Sequence, residues 1–228
     1  RKAIDPPGEA KPDWQIISAL AEIMGHPFGY KNTEEITEEI ASLTPIYGGI
    51  HHDRLDGYGL QWPCPDHDHP GTPILHTGQF TRGRGKFHVV QDRPPAELPT
   101  IAYPLLLTTG RILEHFHTGS MSHRSRVLET LAADSRVELN PEDAHRLGIE
   151  EGDMISLSSR RGEVQTRVKK TKRVRPGQAF MAFHWGDAPV NRLTIAAVDP
   201  QAKIPEFKVS SVRAILSVLE RAAEDNRF

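Results

Sequence analysis

The sequence predicts a helix-bearing N-terminal segment followed by a mainly β domain that closes into a barrel. Three observations carry that prediction. Apolar residues recur at helical spacing in two runs before residue 45, each with its own start and stop signals. From residue 100 onward the pattern turns into short alternating runs divided by tight turns. Between them, residues 45–99 are dense in Gly, Pro, His and Asp and hold no sustained periodicity. Short strands closed into a barrel leave no sheet edge unpaired.

Residues 1–12 read as an extended Pro/Gly linker. They lack an initiating Met and an apolar signal-peptide core, which predicts a piece of a longer chain. The first helix starts at Asp13, an N-cap after Pro12. Trp14, Ile17, Leu20, Ala21 and Met24 form its apolar stripe, and Gly25 is the C′ stop. The second starts near Asn32-Thr33, with Glu34 and Glu35 at its positive dipole end and Ile36, Ile40 and Leu43 as its buried face. Residues 45–99 are expected to wrap irregularly over another surface, with Phe87-His88-Val89-Val90 as a short strand. Arg93 to Pro99 is the linker and the domain boundary.

Tyr103 to Leu107 reads as a buried strand, and Val127, Leu128 and Leu131 mark a helix. Val137-Glu138-Leu139 is a short strand. Asn140 to Gly148 carries complete helix punctuation: Asn140 as N-cap, Pro141 at N1, acids in the first turn, Gly148 closing it. Met154 to Ser158 and the alternating Val164, Thr166 and Val168 form a hairpin around Arg160-Arg161-Gly162-Glu163, with Gly162 at the αL position. Pro176-Gly177 turns into a strand over Ala179 to Phe183. A last strand runs from Val209 to Ile215, and a tail helix is expected through Leu216, Leu219 and Ala223.

The 228 residues are 37% hydrophobic and 25% charged, which suffices for a real core. Lys+Arg 28 against Asp+Glu 30 leaves a net charge of −2, which argues against a dedicated nucleic-acid binder. The single cysteine, Cys64, allows no disulfide within the chain and fits a reducing, cytoplasmic setting. No run is long and apolar enough to span a bilayer.

The chemistry concentrates in Thr108 to Arg126, which holds two glycines, many hydroxyls, His115, His117 and His123, and Arg111, Arg124 and Arg126. Such a loop fills a core poorly and suits an anion. Glycines let the backbone approach, N–H groups form a nest and guanidinium groups fork onto phosphate oxygens. The competing reading is a solvated loop. The arginines count against a cation site among its histidines.

Other constellations are weaker. His51, His52, Cys64, His67, His69 and His76 invite a zinc reading, but one thiolate among prolines favours a loop with satisfied histidines. Residues 160–175 carry eight basic groups and one acid, yet no interleaved aromatics for stacking, so a solvated hairpin is favoured over a nucleic-acid patch. With one cysteine the chain holds no iron–sulfur cluster of its own.

An ordered set of motifs goes further. Thr109-Gly110-Arg111, Glu114-His115, His117-Thr118-Gly119-Ser120-Met121, Asn140-x-x-Asp143-Ala144, Arg160-Arg161-Gly162, Asn191-x-Leu193-Thr194 and Glu206-Phe207-Lys208 occur in one order that resembles the C-terminal region of the DMSO-reductase superfamily. Gly59 to Pro65, His69 to Pro73 and Phe80 to Gly85 look like the formate dehydrogenase catalytic (alpha) subunit in particular. The resemblance implies an α/β N-terminal segment followed by a mainly β double-psi barrel. Its divisions are residues 1–98, the end of an α/β molybdopterin oxidoreductase domain plus linker; 99–215, the dinucleotide-binding barrel; and 216–228, a tail.

The cofactor it implies is bis-molybdopterin guanine dinucleotide with molybdenum or tungsten, with an iron–sulfur cluster only in missing upstream sequence. Carried over residue by residue, the loop Thr109, Gly110, Arg111, His115, His117, Thr118, Gly119, Ser120 and Met121 would wrap one dinucleotide. Asn140 and Asp143 would lie at the guanine–ribose end. Phe183, Asn191 and Lys208 would approach the pterin. No catalytic residue and no metal ligand is expected in this chain. The implied partners are the remainder of the catalytic subunit, electron-transfer subunits and formate or CO2, without nucleic acid or a membrane span. Nitrate reductase of the same superfamily, and a separate cofactor-carrying or assembly subunit, are the alternatives. From another class, a metal-free nucleic-acid-binding barrel would use the 160–175 hairpin.

Overall fold

The computed structural model describes residues 2–217. It divides into two compact units that meet in sequence at Val89 and Val90. The expected tail helix falls largely on residues 218–228, outside the described residues.

The first unit holds α1 (Asp13–Ile23), α2 (Thr33–Leu43) and two 3₁₀ turns, Pro45–Tyr47 and His52–Leu55. Both helices are written locally. Past Met24, Gly25 N donates to Glu22 O and His26 N to Ala21 O, the paired bonds of a Schellman stop. Asn32 Oδ1 caps α2 by accepting from Glu35 N at 2.9 Å, while Glu35 reaches back to Lys31 N at 2.8 Å.

The stripes are not buried as expected. Ile17, Leu20 and Met24 of α1 are each more than half exposed, as is Leu43 of α2, and only Ala21 and Ala41 are covered. The reason is architectural: the described residues of this unit contain no strand, only a Phe80–Gly83 bridge, so the stripes have no apolar layer to meet. Phe87, Val89 and Val90 likewise form no strand and stand nearly fully exposed.

The second unit is a closed six-stranded double-psi barrel. Its strands are β1 (Leu105–Gly110), β2 (Arg136–Leu139), β3 (Met154–Ser158), β4 (Glu163–Lys170), β5 (Gln178–Ala182) and β6 (Ser210–Leu216), in the spatial order β1-β5-β2-β4-β3-β6. β1 runs parallel to β5 and β2 to β4, and the other pairs are antiparallel. Alternation puts Leu105, Leu107, Val137, Leu139, Ile155, Leu157, Val168 and Met181 inside, all at 0% exposure. The helices α3 (Arg126–Leu131) and α4 (Pro141–Leu147) lie outside the ring of strands.

Three details depart from expectation. β1 starts at Leu105 and runs on to Gly110, because Thr109 continues the inward alternation. Gly162 is not left-handed; a Cβ there would stand 3.2 Å from Arg192 O, so close approach rather than φ demands glycine. The basic hairpin is neutralised in part: Arg160 and Arg161 grip Glu97, Lys169 pairs with Glu138 at 2.9 Å, and Lys170 pairs with Glu150.

Candidate cofactor site

The register of the barrel decides where the basic loop lands. Gly110 at the end of β1 sits opposite Ala182 at the end of β5, and the two strands are parallel, so both leave the barrel at one end. β6 runs antiparallel to β1, with Leu107 opposite Ser210, so the residues just before β6 arrive at that same end. Thr109 Oγ1 donates to Phe207 O at 2.9 Å, fastening this third segment one residue from Lys208. Phe183 N donates to Gly110 O at 3.2 Å. The Arg111 guanidinium lies 5.3 Å from the centre of the Phe183 ring and donates through Nη2 to His117 Nδ1 at 3.4 Å. Thr109, Gly110, Arg111, His117, Phe183 and Lys208 are therefore brought together.

The inner side of the loop is a hydrogen-bonded floor of imidazoles. His115 is buried, with Nε2 donating to Ala132 O at 2.7 Å and Nδ1 facing the Ser122 hydroxyl at 3.1 Å. His123 is bonded on both nitrogens, to Glu129 at 2.7 Å and to His184 O at 3.1 Å. Two acceptors on one ring call for the imidazolium, and the Glu129 carboxylate is the main cause that holds the His123 pKa above its ordinary value. His184 is the opposite case. Burial leads in holding its pKa low, and neighbouring His115, His123 and Arg111 add to that, against a bond to His117 O. Trp185 packs edge-on against His115 at 5.2 Å.

His115, His123 and Glu129 form the one group among the described residues close enough to hold a metal ion. Each nitrogen already has a hydrogen-bond partner, so the cluster is complete as a proton network. Cys64 recruits no such set: its thiol donates to His69 O at 3.4 Å. His51 instead faces Glu38 at 2.6 Å.

Several of the predicted donors, on the loop and off it, are unspent. Among the described residues the Lys208 ammonium, the Asn191 amide and the Thr118 and Ser120 hydroxyls make no hydrogen bond, and Met121 is 74% exposed. Gly119 has φ +77°, and a Cβ there would stand 2.1 Å from His123 Cδ2. Asn191 stands on the 3₁₀ turn Val190–Leu193, held through Leu193 O by Arg161 at 2.8 Å and 3.1 Å.

Asn140 and Asp143 are placed elsewhere. β2 runs antiparallel to β5, so its exit, where Asn140 begins α4, lies at the opposite end of the barrel, about 13 Å away at the usual strand rise. Asn140 caps Glu142 N and donates to Val174 O at 2.8 Å, and Asp143 accepts from Gly177 N at 2.6 Å and from Arg146 at 2.5 Å. Their polar atoms are engaged in holding α4 to the turn before β5. A groove of about 1000 Å³ runs along the outer face of the sheet, lined by Arg111, Thr108, Phe180, Glu138, Lys169 and Arg173. Of these only Arg111 is among the residues that the family resemblance carries over to the cofactor.

A donor set of one guanidinium, one ammonium, an amide and hydroxyls, beside a backbone that glycine leaves open, fits a polyanion carrying a heterocycle with hydrogen-bonding edges. Comparison with known proteins points the same way. Residues 105–211 match the molydopterin dinucleotide binding domain family. The chain is 46% identical, over 93% of its length, to F420-dependent formate dehydrogenase subunit alpha of Methanocaldococcus jannaschii, and spans 32% of that protein. It is 41% identical, over 92% of its length, to the assimilatory nitrate reductase catalytic subunit of Bacillus subtilis, and spans 31% of it. Its fold is similar to that of acetylene hydratase from Pelobacter acetylenicus, with a TM-score of 0.64 at 19% identity, covering 95% of this chain and 34% of the other. The chain thus spans about a third of each of these three proteins.

Proposed function

We propose that this chain, whose residues 105–211 match the molydopterin dinucleotide binding domain family, is the cofactor-clamping C-terminal portion of a molybdenum or tungsten formate dehydrogenase. The carrying observation is the open donor set where β1, β5 and the segment before β6 meet. Arg111 and the backbone of residues 110–119 would face the phosphates. Lys208, Asn191 and the Phe183 ring would meet the pterin edge and face. Bound there, the cofactor would supply the two-electron chemistry that takes formate to CO2. This chain's own residues bind it, orient it and exclude water.

Formate is favoured over nitrate by the higher identity to the formate dehydrogenase subunit, 46% against 41%. The remaining two-thirds of such a protein would bring the metal ligand and the iron–sulfur cysteines, and separate subunits would accept the electrons. The N-terminal helices, with their open stripes, are read as part of an α/β domain whose strands come from that remainder. Among the described residues no helix is long and apolar enough to cross a membrane, and the proposed setting is cytoplasmic.

The test is purification of the full-length protein that carries this chain, with intact mass, metal content and released pterin measured together. A catalytic chain about three times as long as this one, on the coverage of its relatives, with molybdenum or tungsten and a guanine dinucleotide is expected. A chain that holds no pterin and reduces no acceptor with formate would overturn the reading. Nitrate reduction in place of formate oxidation would transfer it to the second relative.

A further inference from the structure

His184 follows β5 directly and is 1% exposed. It reaches back to the loop that follows β1 at two points. Its Nε2 accepts from Ile112 N at 3.0 Å, and its Nδ1 bonds His117 O at 2.5 Å. A backbone N–H can only donate and a carbonyl can only accept, so the ring must be neutral with its proton on Nδ1. These two bonds bracket residues 112–117, the part of the loop that holds Arg111's partner His117 at φ +49°. The turn bond from Gly119 N to Phe116 O at 2.9 Å closes the backbone locally around His117, and the His184 bond to the His117 carbonyl ties that turn to the end of β5.

We infer that His184, as the neutral Nδ1–H tautomer, is the positioning residue that sets the loop backbone in the geometry required to receive the dinucleotide. The inference rests on the cofactor reading above and adds a residue that reading does not use. His184 touches no unspent donor; it acts through Ile112 and His117. The groups facing it are Arg111 from the end of β1, His115 on the loop, and His123, which has Glu129 of α3 and Asp187 acting on it in turn.

The neighbours enforce the tautomer. His123, already charged through Glu129, donates to the His184 carbonyl. A second cation on the adjacent ring would meet that charge and Arg111 in a nearly dry site. A protonated Nε2 would also turn toward the Ile112 N–H, setting donor against donor.

The experiment uses the full-length protein, with His184→Gln and His184→Leu made in it. Gln offers an acceptor and a donor on one short side chain, whereas Leu offers neither. Two readouts are taken: hydrogen–deuterium exchange of the peptide spanning 110–118, and released pterin guanine dinucleotide per chain. Exchange about tenfold faster in the Leu variant, the factor for about 1.4 kcal/mol, with partial return in the Gln variant and a parallel loss of pterin, is the expected result. Unchanged exchange in the Leu variant overturns the inference. Faster exchange with full pterin content upholds the clamp and sinks the loop's cofactor role instead.

If the Leu variant does not fold, the wild-type protein answers. After correction for intrinsic rates, protection of 110–118 should fall as the pH drops below 6.5. Flat protection down to pH 5 overturns the inference.

Discussion

The His123 imidazole occupies the space that a side chain at Gly119 would need: a Cβ there would stand 2.1 Å from Cδ2 and 2.3 Å from Nε2. The same ring bonds Glu129 and His184 O. Gly119→Ala therefore has to displace the ring as well as strain a backbone at φ +77°. The expected cost is about 2–3 kcal/mol in denaturant unfolding, with faster exchange across 110–124. A cost below about 0.5 kcal/mol would show that His123 yields freely.

Glu129→Gln removes the partner that holds His123 charged. His123 has a raised pKa, so its contribution to stability is complete below pH 6.5 and lost as the pH rises through its folded value. His184 has a lowered one, so its contribution is complete above pH 6.5 and lost below. The wild-type loop should be best protected just above pH 6.5 and loosen on both sides. In Glu129→Gln the alkaline limb should flatten and the acid limb remain. Exchange profiles from pH 5 to 9 check this, and an unaltered alkaline limb would contradict it.

Glu97 gathers three donors in the linker before the barrel. Arg161 forks onto both oxygens at 2.9 Å and 2.8 Å, Arg160 adds a bond at 2.6 Å, and Ser211 N donates at 2.8 Å. Burial pushes its carboxyl pKa up, but these donors outweigh burial and hold it at about 2. The stabilisation is present above the ordinary value of 4.5 and disappears as the pH falls through about 2. Glu97→Gln should cost about 2 kcal/mol at neutral pH and much less at pH 2.5, read from urea midpoints. Arg161→Lys loses the fork and the grip on Leu193 O, so it should release Asn191 as well.

Lys208→Met tests contact rather than architecture. Lys208 is exposed and makes no hydrogen bond among the described residues. Stability should stay within about 0.5 kcal/mol of wild type, while released pterin per chain drops. Full pterin content would remove Lys208 from the site.

The barrel was legible because its signals are local. Val164, Thr166 and Val168 announce an alternating strand, and Asn140-Pro141 with Gly148 announces a capped helix, whatever surrounds them. The loop end of the site was legible for the same reason: glycines, arginines and hydroxyls crowd one stretch. His184 was not. It follows an apolar strand as one polar residue, and its partners Ile112 and His117 are 72 and 67 positions away. Asn140 and Asp143 hold α4 to the turn before β5, a structural task that their spelling does not reveal. The stripes of α1 and α2 follow helical periodicity, but periodicity cannot state what the apolar face will meet.

The strand order carries a consequence for synthesis. β1 pairs only with β5 and β6, so Leu105 and Leu107 find no hydrogen-bonded neighbour until Gln178 and beyond have been made. At ordinary elongation rates that interval is on the order of ten seconds. During it the nascent chain presents an apolar strand with both edges bare, a hazard that a chaperone or slow ribosomal release has to cover. A barrel this dependent on its last strands closes only once β6 has been made, and the loop between β1 and β2 takes shape only when that late closure is complete.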